Sequence, residues 1–335
     1  MKVNRKEFLE LLTKTYSAIA KDKTDETACF IFDKKTIIGF NIQISISVPF
    51  ESEFSCAVSA QELLQIVKNN SLEELDLSCT EKEFILSNKK FRAGILLTEN
   101  KITNLLPSNI LNDYIWKKCP DNLIEGINLC LFSVAKDSAM SALNCIAIKD
   151  TEIISSDNFR VSSFSLSEEI EQEILLPLSA AIEIGRTKNI IEYAIKDSWI
   201  IFKTKNNSVL YCNTIAEEFP DVSELFDMSA EAVNIIFPAE ELIQALKASS
   251  VFSETLDIEM KVEIAIENNM LYCRNANQKG WIEYALEKID CPDLKFVIHP
   301  NFLSAIVNTI TNAFLDNNKL FFVTDNFQHV MVVSC

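Results

Sequence analysis

The sequence is poor in the residues from which metal sites and phosphate-binding loops are built. Its 335 residues include only two histidines, His299 and His329, and its ten cysteines form no C-x-x-C pair. A zinc site needs a closely spaced set of such ligands, so we interpret the cysteines as buried free thiols. Only five glycines are present, and none lies in a phosphate-binding pattern. We therefore expect no metal, no cofactor and no ATP chemistry.

Long apolar segments are also missing. No run of about 18 apolar residues occurs, and the N-terminus, MKVNRKEFLELLTK, is charged, so the sequence predicts neither a membrane span nor a signal peptide. The apolar content of 48%, with 24% charged residues, is typical of a globular protein. These features predict a cytoplasmic protein without a membrane partner.

Acidic residues greatly outnumber basic ones. The chain has 48 Asp and Glu residues against 31 Lys and Arg residues, which gives a formal net charge of −17. Such a surface as a whole repels nucleic acid. Contact with DNA therefore requires basic residues that are concentrated locally.

What the sequence does contain is a repeated unit of one helix followed by strands. Ser59–Lys68 aligns without gaps with Pro238–Lys247, and weaker copies begin at Pro177 and Pro300. The copies near residues 59, 177 and 300 are about 120 residues apart, which is too long for a solenoid repeat and indicates three duplicated domains. Further helices are predicted for Asn4–Ala20, from its amphipathic spacing, and for residues 127–144.

Each third of the chain combines about two helices with many strand-like segments. This composition predicts an α+β fold in which two helices per domain pack on antiparallel sheets. The predicted domains are 1–112, 123–228 and 232–335, with a short polar connector between the first two.

Basic residues recur on or beside the predicted helices. Such residues are solvated by default, and the functional alternative is weak contact with DNA phosphates independent of base sequence. The residues of this set are Lys14, Lys21, Lys68, Lys136, Arg186, Lys188 and Lys247.

Several segments together carry a resemblance to a known family. They are the three-domain duplication, SAQELLQIVKN with TEKEFILSNKKFRAGI, SSDNFRV, EEFPDVSELF, FPAEELIQALKASSVFSE and HVMVVSC. In these features the chain resembles the bacterial-type DNA polymerase III beta subunit, the DNA sliding clamp, in a divergent phage or mobile-element version. The resemblance implies a head-to-tail homodimeric ring of six similar domains, with helices lining a central hole. The implied partners are duplex DNA of any sequence, a DNA polymerase and a clamp loader.

The family binds partner peptides in a pocket between its second and third domains. Without the resemblance, the apolar members of the corresponding set would be interpreted as core residues. Asn158, Phe159 and Val332 stand where the family has glycine, histidine and proline, which implies a different peptide preference. The corresponding residues are Leu143, Ser156, Asn158, Phe159, Arg160, Val161, Pro220, Leu225, His329, Val330 and Met331.

Ring closure in the family joins the first domain of one subunit to the third domain of the next. The resemblance places this dimer interface at Phe84 and Leu86 in the first domain, and at Val251 and Phe252 in the third. Exposed sheet edges need covering, and a head-to-tail pair covers both ends. A core role is the alternative for Phe84 and Phe252.

An enzyme is the main alternative from another class. Ser133–Lys136 reads S-x-x-K and is followed by the S-D-N motif at Ser156–Asn158, as in serine acyltransferases of the penicillin-binding type. The third motif, K-T-G, is absent, and the two motifs that are present lie too close for an intervening domain. We therefore predict no enzymatic activity. A second alternative is a clamp-like partner-binding protein that does not encircle DNA.

Overall fold

The structure is a computed structural model that describes residues 1–22, 26–98, 103–111, 113–253 and 260–335. Residue 112, the predicted end of the first domain, lies outside the described residues. The chain forms two compact units. Unit 1 comprises Met1–Cys119 and Ser179–Ala216, and unit 2 comprises Pro120–Leu178 and Glu217–Cys335.

The described residues form seven α-helices and twenty-two β-strands. The helices are α1 (Arg5–Tyr16), α2 (Ala60–Asn69), α3 (Pro107–Ile110), α4 (Leu123–Cys130), α5 (Leu178–Arg186), α6 (Ala239–Ser249) and α7 (Pro300–Val307). The strands of the first half are β1 (Lys2–Asn4), β2 (Cys29–Asp33), β3 (Thr36–Phe40), β4 (Ile44–Pro49), β5 (Ser55–Ser59), β6 (Glu74–Cys79), β7 (Glu83–Asn88), β8 (Phe91–Leu96), β9 (Lys117–Lys118), β10 (Cys145–Ser156) and β11 (Arg160–Pro177). Those of the second half are β12 (Ile190–Lys196), β13 (Trp199–Thr204), β14 (Val209–Asn213), β15 (Val233–Ile236), β16 (Val262–Glu267), β17 (Met270–Asn277), β18 (Gly280–Lys288), β19 (Leu294–Ile298), β20 (Asn312–Asp316), β21 (Lys319–Val323) and β22 (Phe327–Val332).

Unit 1 contains two antiparallel sheets. A four-stranded sheet has the order β1-β6-β7-β8, and an eight-stranded sheet has the order β5-β2-β3-β4-β14-β13-β12-β9. The β4–β14 pair, with Leu210 opposite Ile46, joins strands from the first part of the chain to strands from its middle. Helix α1 packs on β3 and β4 and against α2.

Unit 2 repeats this plan. Its six-stranded sheet has the order β10-β11-β22-β21-β20-β15, and its four-stranded sheet has the order β18-β17-β16-β19. The β11–β22 pair, with Val161 opposite Val330, joins the middle of the chain to its end. Helix α6 packs against α7, and α4 packs on β10 and β11. Helices on antiparallel sheets in both units confirm the predicted α+β class.

The helices of the repeated unit all form. Helix α1 starts after Asn4, because the side chain of this residue accepts hydrogen bonds from the backbone N–H groups of Lys6 (2.9 Å) and Glu7 (3.3 Å), and it ends at Tyr16, before the predicted Ala20. In α2 the hydroxyl of Ser59 donates to the carboxylate of Glu62, the spacing of a capping box. Amphipathic spacing is the local signal that these helices share, because a side-chain N-cap bond is made in α1 but not in α2, α6 or α7.

The helix predicted for residues 127–144 was wrong over most of its length. Helix α4 ends at Cys130, and only short 3-10 turns follow, at Leu131–Ser133 and Ser141–Asn144. The side-chain amide of Asn144 bonds the backbone of Ser138 in both directions, at 2.8 and 3.0 Å. Such side-chain bonds compete with helical backbone bonds.

The cores are built from phenylalanines and require two glycines at close approaches. A Cβ at Gly39 in β3 would lie 2.2 Å from the backbone oxygen of Thr15 in α1, and one at Gly126 in α4 would lie 2.4 Å from the ring of Phe164 in β11. Both glycines let a helix lie directly on a sheet. Among the described residues, no helix has the length and apolar character needed to cross a membrane.

Candidate functional site

One cavity in unit 2 contains most of the residues that the family resemblance placed in a partner-binding pocket. It has a volume of about 280 Å³ and lies beside the β10–β11 turn, the start of β11, the end of β22 and the segment 220–225. Its lining residues are Met140, Leu143, Ser156, Asn158, Phe159, Arg160, Val161, Pro220, Val222, Leu225, Lys319, Val330 and Val332. We call it the β11–β22 pocket.

The floor of the β11–β22 pocket is apolar and buried. Val161 and Val330 pair directly across β11 and β22, and they form a buried cluster with Val222 and Phe321. Partly buried rings of Phe219 and other residues pack against this cluster. A floor of this kind favours an apolar ligand group, because such a group leaves water on binding.

The rim of the pocket carries four large apolar side chains that are exposed. Met140 is 52% exposed, Phe159 48%, Leu225 42% and Val332 55%. Exposed apolar residues are ordinary one at a time, but four of them around one concave site are typical of an interaction surface. The pocket can therefore bind a partner through apolar anchors.

The tight turn between β10 and β11 is held by one carboxylate. Asp157 accepts hydrogen bonds from the backbone N–H groups of Phe159 (3.2 Å) and Arg160 (3.1 Å) and from Nε of Arg160 (2.9 Å). Asn158 has a φ of 72°, in the left-handed region that asparagine tolerates better than most residues. These bonds fix Phe159 at the rim of the pocket.

Arg160 stabilises this turn and is not a free cation. Its side chain is 13% exposed and pairs with Asp157, which is 12% exposed. Its guanidinium also lies 3.9 Å from the ring centroid of Phe302 in α7. Lys319 is the second cation of the pocket, and its Nζ donates to the backbone oxygen of Leu225 at 3.1 Å. Backbone and side-chain hydrogen bonds from Ser223 lower the pKa of nearby Asp221.

Nine of the eleven predicted pocket residues line the cavity, but His329 and Met331 do not. Both are buried, at 0% and 1% exposure. Successive residues of a strand point to opposite faces of the sheet, so Val330 and Val332 face the pocket whereas His329 and Met331 face away from it. The prediction of three consecutive residues was therefore wrong at these two positions.

His329 belongs to a buried polar cluster. Its Nδ1 lies 2.8 Å from Oγ of Ser162 and 3.3 Å from Oγ of Ser133, and the two hydroxyls are 2.8 Å apart. Burial, together with the charge of Arg160, lowers the pKa of His329 to about 3. Ser133 has no exposed surface, so the serine of the S-x-x-K motif cannot reach a substrate as an acyltransferase nucleophile.

Four lining residues lie outside the predicted set of eleven: Met140, Val222, Lys319 and Val332, of which the sequence analysis named only Val332, as a departure from the family. Strand alternation in HVMVV is the signal that points to Val332, which lies two residues after Val330. No local signal points to Met140 or Lys319, because they reach the pocket through long-range contacts.

The predicted DNA-lining residues are all exposed. Lys14, Arg186 and Lys188 line one further cavity of unit 1, of about 340 Å³. Lys68 lies in the last turn of α2 and Lys247 in the last turn of α6. Lys21 follows α1, and Lys136 follows the 3-10 turn that ends at Ser133.

The predicted interface residues of the first domain are core residues. Phe84 and Leu86 have no exposed surface, because β7 is an inner strand and these side chains pack inward. Phe84 stacks on Phe32 with ring centroids 5.1 Å apart. The prediction that these two side chains contact a second subunit was therefore wrong.

The corresponding residues of the third domain lie on the surface. Val251 is 75% exposed, and Phe252 covers Gly280, where a Cβ would lie 2.9 Å from its ring. Trp281, next along β18, is 75% exposed as well. The side chain of Asn277 donates to the backbone oxygen of Phe252 at 2.9 Å and holds the 3-10 turn Ser250–Phe252 beside β18. We call Val251, Phe252 and Trp281, which lie in this 3-10 turn or at the start of β18, the β18 edge cluster.

All ten cysteines are free thiols, and eight of them are buried. Burial raises the pKa of Cys145 to about 11 and that of Cys273 to about 11, and the charge of Glu217 contributes at Cys145. The described residues contain no group of three or more His, Cys, Asp or Glu side chains that is placed to hold a metal ion.

Comparison with solved structures identifies the fold over the whole chain. The DNA polymerase sliding clamp from Pseudomonas aeruginosa matches with a TM-score of 0.82 at 12% sequence identity, over 100% of this chain and 99% of that one. The DNA polymerase III beta chain from Streptococcus pneumoniae gives 0.83 at 16% identity, over 100% and 99%. The beta subunit from Thermotoga maritima gives 0.81 at 18% identity, over 100% and 98%.

No family model matches the sequence. No curated protein matches it either. Sequence identities of only 12 to 18% explain why comparison of sequences finds no match, although the backbone fold agrees over the full length. The chain therefore has the fold of the DNA polymerase III beta subunit, the DNA sliding clamp, in a divergent version.

Proposed function

We propose that this protein is a DNA sliding clamp, a non-enzymatic processivity factor of the cytoplasm. Two head-to-tail subunits encircle duplex DNA, and each subunit consists of three similar domains at residues 1–112, 123–228 and 232–335. A separate clamp loader opens the ring, and a DNA polymerase is held by a peptide in the β11–β22 pocket. The whole-chain agreement of the fold with sliding clamps is the observation that carries this proposal.

Two free sheet edges support ring closure. Strand β8 ends the four-stranded sheet of unit 1 and β18 ends that of unit 2. Within the described residues the outer edge of β18 is unpaired, and that of β8 is unpaired over Phe91–Leu96, after which Leu97 bridges Val58 of β5. Leu96 at the end of β8 is 71% exposed, and Trp281 on β18 is 75% exposed. Free apolar edges invite pairing with another chain. In the proposed dimer, β8 of one subunit pairs with β18 of the next, and the β18 edge cluster covers Leu96.

The charge distribution suits a protein that slides on DNA. A net charge of −17 disfavours adhesion of DNA to the outer surface. Exposed Lys21, Lys68, Lys136 and Lys247, together with Lys14, Arg186 and Lys188, supply phosphate contacts inside the ring. Contacts to phosphates carry no base sequence information, so the ring can move along any duplex.

The β11–β22 pocket supplies the partner site. Buried Val161 and Val330 form its floor, and the exposed rim residues accept the apolar side chains of a short peptide. Phe159 narrows the entrance where the family has histidine, so the preferred peptide differs from that of other clamps. The polymerase is tethered here while the ring stays on DNA.

Negative-stain imaging of the purified protein at micromolar concentration, combined with native mass spectrometry, tests the proposal. We expect particles with a central hole wide enough for duplex DNA and the mass of two subunits. Solid monomers, with or without duplex DNA and a loader, would exclude the ring. If such monomers still bound partner peptides, the clamp-like protein that does not encircle DNA would replace the proposed function.

A further inference from the structure

The further cavity of unit 1 lies at the junction of two helices and two strands. Its lining comes from the C-terminal ends of α1 and α5, from β4 and β14, and from the segments 187–189 and 204–208. With a volume of about 340 Å³ it is comparable with small-ligand pockets. We call it the cation-rimmed cavity.

The cation-rimmed cavity combines an apolar floor with a basic rim. Ile46, Val48 and Leu210 share one face of the paired strands β4 and β14 and form this floor. Three exposed cations surround it, whereas Glu183 is the only carboxylate among its lining residues. A local excess of positive charge is unusual in a chain whose net charge is −17. The arrangement fits a ligand that has an apolar part and an anionic part.

The three cations are free to bind an anion. They are Lys14, Arg186 and Lys188, and none of them forms an ion pair with a carboxylate of the described residues. Cations in the last turn of a helix interact favourably with the C-terminal partial charge, which accounts for Lys14 and Arg186 on their own helices. The helix C-terminal charge does not explain the position of Lys188, which follows α5. It also does not explain why all three cations lie around one cavity.

Lys188 is held at the rim by hydrogen bonds on both sides. The hydroxyl of Thr187 donates to the backbone oxygen of Glu183 at 2.8 Å, and the backbone N–H of Lys205 donates to the backbone oxygen of Asn189 at 2.9 Å. Asn189 turns the chain with a φ of 59°. The segment that carries Lys188 is thus fixed to α5 on one side and to the β13–β14 hairpin on the other. The backbone at Lys188 is therefore ordered at the rim, while its side chain stays exposed.

We propose that the cation-rimmed cavity binds a phosphate-bearing ligand of nucleotide size. Its phosphate lies between Lys14, Arg186 and Lys188, and its less polar part lies on the floor. Phosphate oxygens are strong acceptors that match lysine and arginine donors. The phosphate belongs to a free nucleotide, which occupies the cations when they are not in contact with the DNA backbone. The site requires neither ring closure nor a partner in the β11–β22 pocket, so it stands or falls separately from the clamp proposal.

Titration calorimetry with ADP, inorganic pyrophosphate and a short DNA duplex tests the site in the full-length protein. The test variants are Lys188→Gln and Arg186→Gln. The charge-preserving variant is Lys188→Arg, and Lys35→Gln is the matched control, because Lys35 is an exposed cation of unit 1 in the β2–β3 turn. Thermal unfolding checks that each variant is folded. The competition between ADP and pyrophosphate is measured on the wild-type protein.

For a free nucleotide, we expect saturable ADP binding that pyrophosphate displaces. Lys188→Gln and Arg186→Gln then weaken it at least about tenfold, whereas Lys188→Arg and Lys35→Gln retain it. If only the duplex binds and the same two variants weaken it more than Lys35→Gln does, the cations serve the DNA contacts of the proposed function and the nucleotide site is refuted. The site is refuted if the wild-type protein binds none of the three probes, if pyrophosphate does not displace ADP, or if Lys35→Gln has the same effect as the cavity variants.

Discussion

The hydroxyl of Ser162 on β11 lies 2.8 Å from Nδ1 of His329 on β22, and both side chains are fully buried on the face of the sheet opposite the β11–β22 pocket. Nε2 of His329 has no hydrogen-bond partner among the described residues. A protonated imidazole would place an unpaired charge in this environment. The cluster therefore requires neutral histidine, and its stability depends on pH.

Acidification should destabilise unit 2 through His329. Burial and the charge of Arg160 hold the pKa of this residue at about 3, below its ordinary value of 6.5. Because the folded-state pKa is depressed, the contribution to stability is complete above about pH 6.5 and is lost as the pH falls from there towards 3. Between pH 7 and pH 5 the loss is about 2 kcal/mol of unfolding free energy.

The pH dependence of His329→Leu isolates this effect, because the carboxylates that titrate in the same range are common to both proteins. Denaturant unfolding at pH 7 and pH 5 should show a smaller loss in the variant than in the wild-type protein. Only two histidines are present, so an NMR titration can follow both imidazoles directly. Equal pH dependence of the two proteins, or a His329 resonance that titrates near pH 6.5, would contradict the prediction.

Replacing Phe84 should cost stability rather than assembly. Its ring stacks on Phe32 at 5.1 Å and meets Phe54 edge-on at 5.4 Å, so Phe84→Ala leaves a cavity in the core of unit 1. The expected loss is about 3 to 5 kcal/mol of unfolding free energy, measured by denaturant unfolding. Phe84→Leu fills most of the site and should keep the native mass of the assembly. A well-folded Phe84→Leu variant that no longer dimerises would contradict this prediction and show that Phe84 contributes to the dimer interface.

Charged residues in the β18 edge cluster should break the proposed ring. Val251→Glu and Trp281→Glu place carboxylates at side chains that are 75% exposed, so the subunit itself should unfold at an unchanged temperature. Native mass spectrometry should show monomers, since the charges must be desolvated at an apolar contact. Ile42→Glu, at an exposed residue of the β3–β4 turn, is the matched control and should stay dimeric. Retained dimers in both edge variants would exclude this edge as the interface.

The sequence predicts the repeated helices well, because their signals are local. Asn4 caps α1, and the amphipathic spacing of α2 is visible in the sequence, although Ser59 makes no side-chain bond to the α2 backbone. It predicts less well where side chains compete with the backbone. The pairing of Ser138 with Asn144 stops helical structure within a segment whose apolar spacing still resembles a helix.

The lining of the β11–β22 pocket could be predicted from the sequence in part. The resemblance brings Val161 and Val330 together, and strand alternation separates Val330 from His329 and Met331. Lys319 reaches the pocket only because the β21–β22 hairpin lies beside the segment that ends at Leu225. A contact of this kind depends on tertiary packing, which no local pattern encodes.

Neutralising helix cations should weaken DNA binding without changing its sequence preference. Lys68→Gln combined with Lys247→Gln removes two predicted phosphate contacts from exposed helix ends. Fluorescence anisotropy between about 50 and 200 mM salt should show a salt slope that is lower by about one for each lost contact, for any duplex. Lys35→Gln is the control. A slope equal to that of the wild-type protein would remove these two residues from the DNA-lining set.

Acidic residues on the rim of the β11–β22 pocket should abolish partner binding while leaving the fold intact. Leu225 and Val332 are 42% and 55% exposed, so Leu225→Asp and Val332→Asp remove little buried apolar surface and should keep the unfolding temperature. A peptide selected on the wild-type protein from a random display library serves as the probe.

In the complex, the apolar groups of that peptide should cover both rim residues and the floor formed by Val161 and Val330. A carboxylate there must lose its water beneath the apolar groups of the peptide. The guanidinium of Arg160 is already paired with Asp157, and an ion pair with Lys319, which lies directly opposite residue 332 on β21, does not restore the lost apolar contacts. We therefore expect at least about a tenfold loss of affinity by calorimetry, equivalent to 1.4 kcal/mol or more. Ile42→Asp, which adds the same charge to an exposed apolar position in unit 1, should bind normally. If both rim variants kept wild-type affinity, the selected peptide would bind elsewhere and the pocket would lose its proposed role.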